Sequence, residues 1–281
     1  MIDKKLVNTI YIISKGRPQC KTAKTLMKMN YPGQWFIVCG NNDPTIPEYQ
    51  KNWGKDKILI FDWHEEVKHS DLLDNFGVEK MGSGAVPVRN ATRKISMDRG
   101  ELRHWQFDDD YNRFWCINSN NHKTFHPMEG KEFEKKLYNL ANYGHLSHIY
   151  NVGFAVPNES MPDSRFHITR RVFNAHNMNN HDLEFTTWKA RMNDDLINAM
   201  DTWKKGKYEI SFKFMLLNFK ETQSEKGGNT EIYKAHGTVR KTAYAIMFEP
   251  KAVKLIEKFG RYHHQVDWRK VVPKLIHEKY R

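Results

Sequence analysis

The fold turns on the reading of His104-Trp105-Gln106-Phe107-Asp108-Asp109-Asp110. Its first part is a bulky run that leads straight into three aspartates, and aspartate is a poor strand residue. Adjacent carboxylates repel one another, and each loses hydration when buried. A strand ending this way, with Tyr111 and Phe114-Trp115 just beyond, needs a compensating cation. Hard divalent cations take carboxylate oxygens and keep positions open for phosphate oxygens. Such a cation can help a diphosphate to depart. The competing reading is a solvated turn, where aspartates are common.

Working back from the triplet, Asn90–Arg99 reads as a helix with Gly100 at its C-cap. Before it, Gly82, Gly84 and Pro87 mark a loop. Ile58–Phe61, Trp35–Cys39 and Leu6–Ile13 are short apolar runs, and Thr22–Met29 is a helical stretch between the last two. Turn signals close them at Ser14-Lys15-Gly16-Arg17-Pro18, Asn30-Tyr31-Pro32-Gly33 and Gly40–Pro44. Strands separated by helices predict an α/β protein with a mostly parallel, doubly wound, Rossmann-like sheet. Ligands bind such sheets beyond the carboxyl ends of the strands.

Forward of the triplet the pattern is looser. Glu132–Tyr143 predicts an amphipathic helix ended by Gly144, and Ile149–Val156 a strand. Asp194–Lys204 predicts a helix followed by Gly206, Tyr208–Leu217 a strand, and Val253–Phe259 a short helix. Glu221–Thr230 is polar and glycine-bearing and reads as a loop. No repeat or linker is visible, so residues 1–281 read as a single domain with a basic C-terminal portion.

The chain carries 45 Lys and Arg against 33 Asp and Glu, a net of +12. Residues 203–281 hold 18 and 8 of these, a net of +10; the first 202 hold the other 27 and 25, a net of +2. That asymmetry suggests a polyanionic partner, though a basic surface also serves solubility. Cys20, Cys39 and Cys116 are scattered without a CxxC pair, which argues against a disulfide framework or structural zinc and for a reducing cytosol. No apolar run approaches a membrane span, and the N-terminus does not read as a signal peptide.

Tyr11-Ile12-Ile13-Ser14-Lys15-Gly16-Arg17-Pro18, the Arg89-Asn90 pair opening a helix, and the strand ending in Asp108-Asp109-Asp110 together resemble the GT-A glycosyltransferases. The nearer resemblance is to the phage glycosyltransferases related to the base J glucosyltransferase, the TET/JBP-associated group. It covers residues 6–115 well and 165–235 more weakly. The resemblance implies an Asp-x-Asp motif holding Mn²⁺ or Mg²⁺ against the diphosphate of a UDP-sugar. Asp110 then ligates the metal directly, Asp108 serves the ribose or the metal, and Asp109 belongs with the donor-binding residues. Ser14, Lys15 and Arg17 lie where this fold cradles the uridine, and Arg89 and Asn90 near the donor sugar and diphosphate. Guanidinium suits phosphate, and a helix N-terminus offers free N–H groups. Residues 1–130 would form the nucleotide-sugar half and 131–281 the acceptor half.

Asn193-Asp194-Asp195 precedes an apolar helix, where aspartate is an ordinary N-cap or first-turn residue. The resemblance also places its acceptor-side acid in this region, so Asp194 or Asp195 is a candidate general base, with Asp182 and Glu184 in reserve. His236 is a candidate third metal ligand. Lys226, in the loop Lys226-Gly227-Gly228-Asn229, together with Arg170, Arg171 and Arg261, are candidate contacts to DNA phosphates, and His263-His264 lie in the same basic stretch as Arg261. The implied reaction moves glucose or arabinose from a UDP-sugar to the hydroxymethyl group of 5-hydroxymethylcytosine in double-stranded phage DNA, with the inverting outcome implied by the base J comparison. Two other classes stay open: a transferase acting on a protein, glycan or small molecule, and a non-enzymatic nucleic-acid-binding protein.

Overall fold

The structure, a computed structural model, describes residues 9–118, 124–155, 166–167, 171–181, 187–218, 230–258 and 260–272. Its centre is a ten-stranded mixed sheet. The N-terminal half supplies four parallel strands, β1 (Ile10–Ile13), β2 (Trp35–Gly40), β3 (Ile58–Phe61) and β4 (Arg103–Asp108), in the spatial order β3-β2-β1-β4. Helices α1 (Lys21–Lys28), α2 (Ile46–Trp53), α3 (Trp63–Lys68), α4 (Val78–Met81) and α5 (Val86–Asp98) connect them. Beyond β4 the sheet continues through β9 (His176–Asn179), β7 (Asn151–Ala155), β10 (Glu209–Asn218), β5 (Arg113–Ile117) and β6 (Phe125–Pro127), and β8 (Phe166–His167) pairs with β10. β9 runs antiparallel to both β4 and β7, while β7 and β10 are parallel.

Side-chain parity explains the layers. In β1, Ile10 and Ile12 enter the main core while Tyr11 joins Phe36 and Val38 on the opposite face. Both faces are buried, as a parallel sheet flanked by helices requires. In β4, Trp105 and Phe107 point into the main core, packed with Phe114, Phe133 and Phe154. His104, Gln106 and Asp108 therefore face the other way, and Gln106 Nε2 there donates to the Arg89 carbonyl of α5 at 3.0 Å.

Helix α6 (Gly130–Leu146) covers the main core and runs through Gly144 instead of stopping there. A Cβ on Gly144 would lie 3.0 Å from Arg103 Nη2. Arg103 is buried and donates to Asn177 Oδ1 and to the carbonyls of Ile149, Tyr150 and Asn177. Gly144 is thus a packing residue, not a helix stop.

Two further expectations are corrected. Pro87 lies in the first turn of α5, where its missing N–H costs nothing, so the predicted loop ends sooner and the helix begins at Val86. Over its described residues the predicted helix at Val253–Phe259 is a strand: β11 (Val253–Lys258) pairs antiparallel with β12 (Arg261–Val266), and Phe259 lies outside the described residues. The long-range ladder decides this segment, and its apolar spacing over so few residues fits either structure.

Helix α7 (Asp194–Lys204) is followed by α8 (Thr230–Phe248), interrupted at Gly237, and by α9 (Trp268–Val271). Leu196, Ile197, Met200 and Trp203 of α7 form a second core with Tyr244, Ala245, Val253 and Val271. Cys20, Cys39 and Cys116 are free and buried. Among the described residues no helix is long and apolar enough to cross a membrane.

Candidate functional site

The carboxyl ends of β1, β2 and β4 bring Ser14–Arg17, Asp43 and Asp108–Asp110 to one edge of the sheet. Helix α1 fixes the acidic turn from below. Thr22 Oγ1 donates to the Asp108 carbonyl at 2.6 Å and accepts from Tyr111 N–H at 2.9 Å. Thr25 Oγ1 donates to the Tyr111 carbonyl at 3.1 Å.

The three aspartates go to three different environments. Asp109 accepts from Ser14 Oγ at 2.5 Å and from Arg17 Nη1 at 2.8 Å. Since the Ser14 proton goes to Asp109, the 2.6 Å contact between Ser14 and Tyr49 makes the tyrosine the donor. Tyr49 in turn accepts from Arg17 N–H at 2.9 Å. Arg17, Tyr49, Ser14 and Asp109 thus close a ring of hydrogen bonds. Burial pushes the Asp109 carboxyl up despite Arg17 and Ser14. Beside this ring, Asp43 is buried and accepts from Gly16 N–H at 2.7 Å. Lys15 turns away and places its ammonium 5.3 Å from the centre of the Trp63 ring.

Asp108 accepts from Arg89 Nη2 at 3.3 Å, and Arg89 Nε donates to Asp194 at 2.9 Å. One buried guanidinium therefore bridges the end of β4 and the start of α7. It also lies 4.5 Å over the Trp188 ring. Asn90 holds that tryptophan: its Oδ1 accepts from Trp188 N–H at 2.7 Å and its Nδ2 donates to the Trp188 carbonyl at 3.2 Å. The Arg89 N–H is not a free helix-end donor, because it is bonded to the Ala85 carbonyl.

Asp194 is buried, and burial raises its carboxyl to about 6 against the opposing pull of Arg89. It is not the N-cap of α7. Asn193 occupies that position in a left-handed conformation (φ 60°) and sends its Nδ2 to the Lys241 carbonyl instead. Asp195 is more exposed, and its Oδ1 accepts from Leu196 N–H at 2.7 Å.

Asp110 is half-buried, and no described cation forms an ion pair with it. Burial, then the Asp108 and Asp109 carboxylates, push it up to about 7. Asp108 is only partly offset by Arg89 and Asp110 only partly by Arg17, and an oxygen-only pair of neighbouring carboxylates of this kind suits a hard divalent cation. Arg89 Nη1, buried and without a partner among the described residues, adds a cationic donor beside it. Asp108 and Asp110 therefore fit the metal that the sequence pattern implies. Among the described residues no group of three or more acidic, His or Cys side chains forms a complete cation cage.

His236 lies in α8, and its side chain is outside the described residues, as are Arg170, Asp182, Glu184 and Lys226. Arg171 is half-buried, stacked 3.7 Å from the Phe173 ring, and Arg261 is exposed at the start of β12. Tyr49, Asp43 and Trp188 escaped the sequence reading. Asp43 carried a signal, its place just past a strand end, but read as a turn residue; Tyr49 and Trp188 carried none.

The acidic turn and the basic side chains gathered beyond the strand ends lie where α/β sheets of this kind bind their ligands. The chain belongs to the TET-associated glycosyltransferase family, which it matches over residues 8–228. It is a glycosyltransferase by that membership. No curated protein matches it.

Proposed function

We propose that the protein transfers a sugar, glucose or arabinose, from a UDP-sugar to the hydroxymethyl group of a modified pyrimidine in duplex DNA, with 5-hydroxymethylcytosine the preferred acceptor. The observation that carries this reading is the Arg89 bridge, which joins the acidic turn at Asp108 to the buried carboxylate of Asp194. Donor-side and acceptor-side carboxylates then share one cation across the reaction centre. Family membership supports the chemistry, and the +10 net charge of residues 203–281 supports a polyanionic acceptor.

In this reading the Ser14–Arg17 segment, held by Tyr49 and Asp109, receives the nucleotide. Asp108 and Asp110 would hold Mn²⁺ or Mg²⁺, whose chemistry there is Lewis-acid help to the departing diphosphate. Arg89 adds positive charge beside the same oxygens and keeps Asp194 oriented. Asp194 takes the proton of the acceptor hydroxyl as that oxygen attacks the anomeric carbon, and the bond to UDP breaks. Asp195 is the alternative base. The target base is reached from the groove, where the 5-position of cytosine is exposed, or by flipping at a cost of a few kcal/mol.

One incubation tests the reading: DNA with and without hydroxymethylcytosine, several UDP-sugars, and Mn²⁺ or EDTA. UDP release that depends on both modified DNA and metal is expected. Release indifferent to the modified DNA sinks the acceptor, and full activity in EDTA sinks the metal.

A further inference from the structure

The β11–β12 hairpin lies beyond residue 228, where the family match ends. Its register sets which side chains share a face. Val253 faces Val266, Leu255 faces His264, and Glu257 faces Tyr262; on the other side Lys254 faces Gln265, Ile256 faces His263, and Lys258 faces Arg261. The root is anchored most firmly. Val253 is buried and Val266 partly so, both in the core shared with α7. Past that pair the ribbon lies along α8, with Ile256, His263 and His264 partly buried. Its outer residues face solvent: Leu255 is 46% exposed and Tyr262 47%, and Lys254, Glu257, Lys258 and Arg261 are exposed as well.

The exposed part therefore carries Lys254, Lys258 and Arg261 against Glu257, with an aromatic and an aliphatic side chain on one face. Strands of six residues extend about 20 Å. A two-stranded ribbon of that kind fits the major groove of B-DNA, about 12 Å wide. The root is also close to the chemistry. His264 Nδ1 lies 3.4 Å from Asn193 Nδ2, and Asn193 directly precedes Asp194. A duplex held by the ribbon would pass beside the Arg89–Asp194 bridge.

We infer that the β11–β12 ribbon is a duplex-docking element that enters a groove beside the target base. Lys254, Lys258 and Arg261 contact flanking phosphates, and Tyr262 and Leu255 lie against the sugar edges. Charge complementarity selects DNA as the occupant: a cationic tip with an exposed ring suits a polyanion and is a poor surface for an apolar partner. The inference rests on the DNA-acceptor reading above.

The test uses the full chain and a charge-reversed variant, Lys258→Glu with Arg261→Glu. Affinity for a hydroxymethylated duplex is measured by fluorescence anisotropy over a salt series, and UDP affinity is measured separately. Loss of duplex affinity by about tenfold or more is expected, with a salt slope shallower by about 2, because each lost phosphate contact removes about 0.9. UDP affinity and melting temperature should match the wild type. Should the reversal unfold the hairpin, Lys258→Gln with Arg261→Gln and Tyr262→Ala replace it, with a smaller loss of the same sign. Duplex affinity within twofold of wild type at every salt concentration overturns the ribbon assignment and leaves the DNA reading standing. Equal binding of single-stranded DNA by the wild type overturns groove docking. A wild type that binds no modified duplex but glycosylates another acceptor overturns the DNA reading itself, and the ribbon assignment with it.

Discussion

At the residue scale, Asp108, Asp109 and Asp110 are chemically identical but do three different things. Asp109 is tied to Ser14 and Arg17, Asp108 to Arg89, and Asp110 to no described cation. Strand parity and the turn after β4 separate them, which is why adjacency in the sequence did not reveal the division. Asp194 is distinguished from Asp195 in the same way, by the Arg89 contact and by burial. If Asp194 is the base, Asp194→Asn lowers kcat by about 100- to 10,000-fold. Its folded value, raised by burial to about 6, leaves it protonated in more acidic solution. Turnover should therefore fall as pH drops through about 6, and a pH profile of kcat checks this; an acid limb near the ordinary value of 3.8 would point to another group. Arg89→Leu leaves two carboxylates without their shared cation and is expected to cost about 3–5 kcal/mol of stability, measured by urea unfolding. Combined with Asp194→Asn, the loss should be smaller than the sum, because the two side chains act as a pair.

At the element scale, the loop before α5 packs against the irregular segment before α7, close to where Arg89 meets Asp194. Gly84 adopts φ +66°, and a Cβ there would sit 2.3 Å from the Arg191 carbonyl oxygen. Arg191 is itself buried and held by Asp74, which also accepts from Tyr244. Gly84→Ala thus meets both a disfavoured backbone region and a fixed neighbour. It should lower stability by about 2 kcal/mol or more, read as a fall in melting temperature, with activity lost before the fold. A melting temperature equal to wild type would show that this contact yields. Helix α7 was legible in the sequence because its apolar stripe and its polar start coincide. The β11–β12 ribbon was not, since its ladder joins residues whose local pattern suits a helix equally well.

At the scale of the whole molecule, α7 packs its apolar side chains into the second core, and Glu209 of β10 lies where α7 meets the sheet. Its carboxyl accepts from Val172 N–H at 3.0 Å and from Asn151 and Asn198 at 3.2 and 3.3 Å. Burial outweighs these donors and pushes it up to about 8, from an ordinary 4.5. A carboxyl whose folded value is raised is protonated by folding. The stability it contributes is complete below about 4.5 and is lost as pH rises through about 8. Glu209→Gln should flatten that alkaline decline, so that the variant melts at or above the wild-type temperature at pH 9 and not at pH 5. A parallel decline in both proteins would mean that Glu209 is ionised in the folded state.

The sequence by itself determined the alternating strands and helices of the first half, the acidic turn at the end of β4 and the concentration of charge after residue 203. Those are local facts, written in hydrophobic periodicity, turn residues and charge, and they were enough to reach the family. Only the tertiary structure decided that β9 enters the sheet antiparallel between β4 and β7, that Tyr49 completes the ring around Asp109, and that Arg89 reaches Asp194 from 105 positions away. Each depends on backbone pairing and burial between distant segments, and no short window of sequence carries the energy of a contact that forms only when the sheet has closed.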